Sequence, residues 1–162
     1  MGRFEDVNND VIDLLHEIVQ EYFPEFRNLK IKGLFDLKKR TNGGKIVLAR
    51  IQKTNDLLRH LTVEESQSNE GYDVILYIDK KCWENVGRED KIRILRHEIR
   101  HLAFNEKGEV VVIPHDIEDF VEEVQLNQDD MRWRDRVATI TSSIYEQERE
   151  STENTRQRVR RR

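Results

Sequence analysis

The sequence predicts an α+β fold: a small mixed sheet of three or four strands, a charged helix packed on it, and flanking helices at both ends. Three observations carry this. Apolar residues recur at helical spacing over 7–22, around 88–102 and over 130–148. Short β-branched or alternating runs stand between them at 31–37, 45–51, 73–79 and 110–113. Asn42-Gly43-Gly44 and Asn105-Glu106-Lys107-Gly108 supply turn chemistry.

In the first helix, Val7, Val11, Leu14, Leu15, Ile18 and Tyr22 form one apolar face, with His16 beside it, and Pro24 stops it. Ile31, Phe35 and Leu37 alternate with Lys30, Lys32, Asp36 and Lys38 as in a half-buried strand. Asn42-Gly43-Gly44 provides positive-φ residues, so Lys45 to Ile51 reads as the returning arm of a hairpin. Residues 54–70 offer Leu57, Leu58 and Leu61 for a short helix and then turn polar. Asp73 to Asp79 is an apolar run bounded by acids, the pattern of a strand buried on both faces. Trp83 is the large apolar group of the link that follows, and reads as a core anchor. Val110 to Ile113 is strand-like. Pro114-His115-Asp116 has the chemistry of a helix start, with Ile117, Phe120, Val121 and Val124 as its apolar face. The last helix places Trp133, Val137, Ile140 and Ile144 in register.

One domain over residues 1–148 is expected, followed by an Arg-rich tail over 149–162 that has too few apolar residues to order. The net charge of −4 argues against a generally basic nucleic-acid binder, but the charge is unevenly spread. Residues 116–130 carry seven acids and no Lys or Arg, whereas Arg156, Arg158, Arg160, Arg161 and Arg162 crowd the end. The single cysteine, Cys82, excludes an internal disulfide and a multi-cysteine metal site. No apolar run approaches the ~20 residues that span a bilayer. The first residues lack the basic start and apolar stretch of a signal peptide. A cytoplasmic location is therefore expected.

The stretch Arg93 to His101 contains His97-Glu98-Ile99-Arg100-His101. On a helix, residues four apart share a face, so both imidazoles can reach one metal ion. Glu98 lies on the flank, placed as a general base for the water such a metal polarises. Ile92, Leu95, Ile99 and Leu102 form the core-facing stripe, roughly opposite the histidines. Ile94 and Phe104 share the histidine side, which predicts a helix packed on one face and lining a cleft on the other. A third protein ligand is usual for catalytic zinc. The positions where a metzincin extension needs Gly and His hold Phe104 and Lys107. The next histidine is His115, and Glu118 and Glu122 are the rival ligands.

Trp83, the helix carrying His97 to His101, and His115-Asp116-Ile117-Glu118-Asp119-Phe120 together resemble the phage metallopeptidase family, which is similar to the SprT-like zincins. The likeness spans roughly residues 25–135. It implies a small zincin-like domain of the minigluzincin type, Zn2+ held by His97, His101 and His115, and Glu98 as the catalytic base. It implies a phage- or prophage-encoded peptidase acting on protein or peptide substrates. Arg100 departs from the family pattern, where a smaller residue is common. Glu118 would then orient a ligand imidazole. Asp73–Asp79 and the 46–51 strand are candidates for pairing with an extended peptide. For a group facing the oxyanion, His60, Tyr72, Tyr77 and several arginines stay open. Two other readings are a non-catalytic zinc-stabilised binding module and a nucleic-acid-associated module using the basic tail.

Overall fold

A computed structural model describes residues 2–115 and 119–161. Strand β1 (Phe4–Asp6) leads into helix α1 (Asn9–Tyr22). The Asn8 side chain caps α1 by accepting from the Val11 amide at 3.2 Å. A single 3-10 turn, Pro24–Phe26, then leads to β2 (Ile31–Asp36). Two short strands, β3 (Thr41–Asn42) and β4 (Lys45–Ile46), flank Gly43 and Gly44, both at positive φ as a two-residue hairpin turn requires. Next come β5 (Ala49–Lys53), the short helices α2 (Asp56–Leu61) and α3 (Val63–Ser66), and β6 (Val74–Asp79). Helix α4 (Lys80–Glu84) leads to α5 (Arg88–Arg100), the helix of the His-Glu-x-x-His motif. Strands β7 (Leu102–Phe104) and β8 (Val110–Val112) form a hairpin. Helices α6 (Val121–Leu126) and α7 (Trp133–Arg160) complete the order, joined by a 3-10 turn at Gln128–Asp130.

The main sheet has the order β1-β2-β6-β5. Strand β6 is buried at every position, as its uninterrupted apolar run predicts, and lies between a parallel neighbour, β2, and an antiparallel one, β5. This corrects the expected hairpin of 31–37 with 45–51. Gly43 and Gly44 do reverse the chain, but only β3 and β4 pair across them. The long apolar strand has the most surface to bury and takes the place between β2 and β5. Sequence pattern also passed over β1, whose three residues are all exposed.

Two apolar clusters meet on α5. The larger joins the α1 face (Val11, Leu14, Leu15, Ile18, Val19) to β6, Trp83, Leu95, Ile99 and Leu102. Full burial of each such side chain is worth roughly 1.5–3 kcal/mol. The smaller joins Ile94 to Leu48, Cys82, Trp133 and Val137. Leu102 keeps its expected core place, but from β7, because α5 ends at Arg100.

Two further expectations change. The helix expected from Pro114 is absent at Pro114 and His115; Asp116 and Ile117 of that expectation lie outside the described residues, and α6 starts at Val121 with Phe120 as its N-cap. The disordered tail expected from Arg149 is instead the continuation of α7 to Arg160, with every residue from Glu146 to Arg161 exposed.

Candidate metal centre

His97 sits in the last turn of α5 and His101 at its C-cap, so one helix supplies two imidazoles on one face. The β7–β8 hairpin supplies the third. Asn105 Oδ1 accepts from the Lys107 and Glu109 amides, and Gly108 takes positive φ, which turns the chain sharply. The strands then pair Leu102 with Val112. One step further, the Ile113 amide donates to the His101 carbonyl at 2.6 Å, and the Ile113 carbonyl meets His101 Nδ1 at 2.7 Å. His115, two residues on, is thereby delivered over the motif.

The three Nε2 atoms converge. His115 Nε2 lies 2.9 Å from His97 Nε2 and 3.0 Å from His101 Nε2. The outer nitrogens are already committed: His97 Nδ1 to Asp119 Oδ1 at 2.7 Å, and His101 Nδ1 to the Ile113 carbonyl. Although Arg134 Nη2 also lies 2.6 Å from His97 Nδ1, an acceptor at each Nδ1 favours the Nδ1–H tautomer and an inward Nε2 lone pair in both rings. A single proton on His115 Nε2 can satisfy only one of them. Three converging nitrogen donors, two of them with oriented outer nitrogens, fit a divalent cation, and nitrogen donors of this kind suit zinc.

The surroundings favour a neutral His97 and raise the Glu98 carboxyl. Burial pushes the His97 pKa down to about 4, against the pull of Asp119. Burial pushes the Asp119 carboxyl up, but its hydrogen bonds to His97 and to the Phe120 amide leave it below the usual carboxylate range. Glu98 is buried beside the motif, and its pKa is pushed up to about 7, with Arg134 opposing the rise. Arg134, from the first turn of α7, lies against the His97 ring, with Nη2 2.6 and 3.0 Å from its two nitrogens, and 3.8 Å from Asp119. Phe120 is buried beneath the site, its ring centroid 5.3, 5.0 and 5.1 Å from those of His97, His101 and His115. It supplies an apolar floor that strengthens every electrostatic interaction above it.

Of the residues singled out by sequence, the structure brings together His97, Glu98, His101 and His115; among the described residues those three histidines form the donor cluster. Glu122 is exposed at the start of α6 and lies outside it. Glu118 lies outside the described residues. His60 is exposed on α2, Tyr72 sits beside Lys32, and Tyr77 is covered by Arg50 and Phe4, so none of them lines the site. Sequence reasoning missed Asp119, Phe120 and Arg134. The available signal was the run His115 to Phe120, where a His, an acid and an aromatic follow one another before a helix. Arg134 gave none, because its position depends on how α7 docks.

The fold and this site define a small α+β domain with a helix-borne histidine cluster suited to a metal ion. Residues 3–145 match the family described as "putative phage metallopeptidase", and the chain belongs to that family. No curated protein and no solved structure matches it.

Proposed function

We propose that this protein is a zinc-dependent metallopeptidase of zincin type, with His97, His101 and His115 as ligands and Glu98 as general base. One observation carries the reading: three Nε2 atoms converge, with the outer nitrogens of His97 and His101 anchored, beside a buried carboxylate. Zinc, when bound, supplies Lewis acidity and positive charge at this point. Glu98 takes a proton from the attacking water and delivers it to the leaving amine; a carboxyl poised near neutrality can do both. Asp119 and the Ile113 carbonyl hold the rings of His97 and His101 in register. Arg134, the guanidinium facing His97 and Glu98, balances negative charge on the former carbonyl oxygen.

The substrate reading is an extended polypeptide. Strand β6 has neighbours on both sides, whereas β5 ends the sheet and borders the cleft over the histidines. Its outer edge can pair with a peptide backbone. The peptidase domain is taken as residues 1–148, with 149–162 as an appended arm. No helix among the described residues is long and apolar enough to cross a membrane. A cytoplasmic, phage-linked setting fits the family and the lone, buried Cys82.

The test is Glu98→Gln in metal-loaded protein. Zinc content should stay at about one per chain while peptide hydrolysis is lost. Full hydrolysis by the variant rejects the mechanism, and loss of zinc would make Glu98 a ligand.

A further inference from the structure

Beside the histidines lies a cleft of about 390 Å³, bounded by the 45–51 segment, α5, Val112 and the start of α7. Its lining combines two chemistries. His97, His101, His115 and Glu98 form one group. Ile46, Leu48, Ile94 and Trp133 form an apolar group, and Lys45, Arg50 and Arg134 also line the cleft. Ile94 precedes His97 by three residues and Glu98 by four, so it shares their face of the helix one turn away, about 5.4 Å along the axis. An extended peptide advances about 3.3 Å per residue, so a residue adjoining the reacting carbonyl can bring its side chain over Ile94. Ile94, Leu48 and Trp133 belong to a buried cluster, and Ile46 packs on it from the β3–β4 hairpin, so the apolar group has a buried floor and a less buried wall.

From this juxtaposition we infer that the site selects polypeptides with an apolar side chain, of leucine or phenylalanine size, next to the scissile bond. The inference rests on the peptidase reading for the bond and on the cleft alone for the selection. A peptide lying along β5 has its backbone held by the strand edge, which is indifferent to sequence. Discrimination therefore falls to whichever side chain points down between β5 and α5. A polar or charged side chain there would lose water without gaining a partner among Ile46, Leu48, Ile94 and Trp133, whereas an apolar one gains burial. Ile46 is the specificity-determining position open to change, because it lies on the hairpin and not in the deep core.

The experiment has two arms. In the first, zinc-loaded wild-type protein is given a peptide library varied on both sides of the scissile bond. Sites with Leu, Ile, Met or Phe beside the bond should be cut at least about tenfold faster than those with Gly, Asp or Lys. Ile46→Asp should erase that ratio. In the second, equilibrium binding of one leucine peptide and its glycine counterpart to zinc-loaded Glu98→Gln protein is measured, where no turnover is needed. The leucine peptide should bind at least about tenfold tighter, and Ile46→Asp introduced into that protein should remove the difference. Cleavage without side-chain preference, or equal binding of the two peptides, overturns the inference and leaves the peptidase reading standing. Selective binding without any cleavage by the wild type supports the inference and overturns the peptidase reading.

Discussion

Helix α5 and the distal half of α7 have almost the same kind of sequence and opposite surroundings. Eight of the thirteen residues of α5 are Asp, Glu, Lys or Arg, and residues 147–160 of α7 are charged at seven of fourteen positions. Yet in α5 Asp90, Arg93, Arg96, His97 and Glu98 are buried, while in α7 every residue from 146 on is exposed. Charge density therefore does not say whether a helix is solvated; what the rest of the chain brings to it does. The acidic stretch after His115 is brought to α5. Arg96 donates to Glu123 at 2.9 Å and to Asn127 at 2.6 Å, Arg100 donates to the other Glu123 oxygen at 3.0 Å, and Arg93 bridges Asp90 and Asp129. Arg136 of α7 closes the set on Asp90 and Asp130. These ion pairs clamp α6 and α7 to α5, and so place Asp119, Phe120 and Arg134 at the histidines. Among the described residues, no such row of ion pairs buries the end of α7.

If the buried charges of α5 divide into a metal-facing stripe and a clamp, changes in the two stripes should separate in their readouts. The largest effect belongs to the metal stripe. His97→Ala and His101→Ala should each remove zinc, lowering affinity far more than a hundredfold, while far-UV circular dichroism of the metal-free protein stays as in the wild type. His115→Ala should do the same, and Glu122→Ala should not. Zinc titration by competition with a chelator measures all four. Retention of zinc by His115→Ala with loss in Glu118→Ala would transfer the third ligand to the carboxylate.

Next in size is the clamp. Glu123 is fully buried between Arg96 and Arg100. Glu123→Ala leaves both guanidinium groups without their carboxylate, which costs about 3–5 kcal/mol. Thermal denaturation should show a fall in Tm of about 10 °C. A shift of 1 °C or less would mean that the ion pairs are bystanders and that the two apolar clusters alone hold α6 in place.

Asp119 joins the two stripes and should show an intermediate effect. Its carboxylate orients His97 and does not itself point a donor at the cluster. Asp119→Asn should weaken zinc about 10–100-fold and move Tm little. Weakening as complete as that of His97→Ala would place Asp119 among the ligands.

The α5 motif was legible because helical periodicity fixes which side chains share a face, and His97, Glu98 and His101 lie within one turn and a half. His115 was legible less directly: the turn at 105–108 and the β-branched run after it imply reversal, and only the pairing of His101 with Ile113 shows where the reversal lands. The Arg93, Arg96 and Arg100 row was not legible, since i, i+3, i+7 arginines describe a wet face equally well. Its burial depends on an acidic segment more than twenty residues away. The order of the sheet was hidden for the same reason. Adjacent strands in sequence suggest a hairpin, and only the competition for burial puts β6 between β2 and β5.

The smallest effect is expected at the end of α7, the exposed counterpart of α5. Its last ties to the body are the hydrogen bond that Tyr145 donates to Asp79 at 2.6 Å and the surface ion pair of Lys81 with Glu148. Removing residues 150–162 takes away side chains that are exposed at every described position. Stability should change by no more than about 0.5 kcal/mol, and zinc affinity should not change. The segment also carries half of the arginines of its helix, Arg156, Arg158 and Arg160, spaced along its last turns. If those arginines form an electrostatic arm, full-length protein should bind DNA or RNA with a steep salt dependence, and the truncated protein should lose both the affinity and the slope. Equal binding before and after truncation would leave the arginines as complements to the negative end of a long helix dipole, where cations are favourable for reasons internal to the helix. A Tm lowered by several degrees would show that this end is docked after all, and the contrast with α5 would fail.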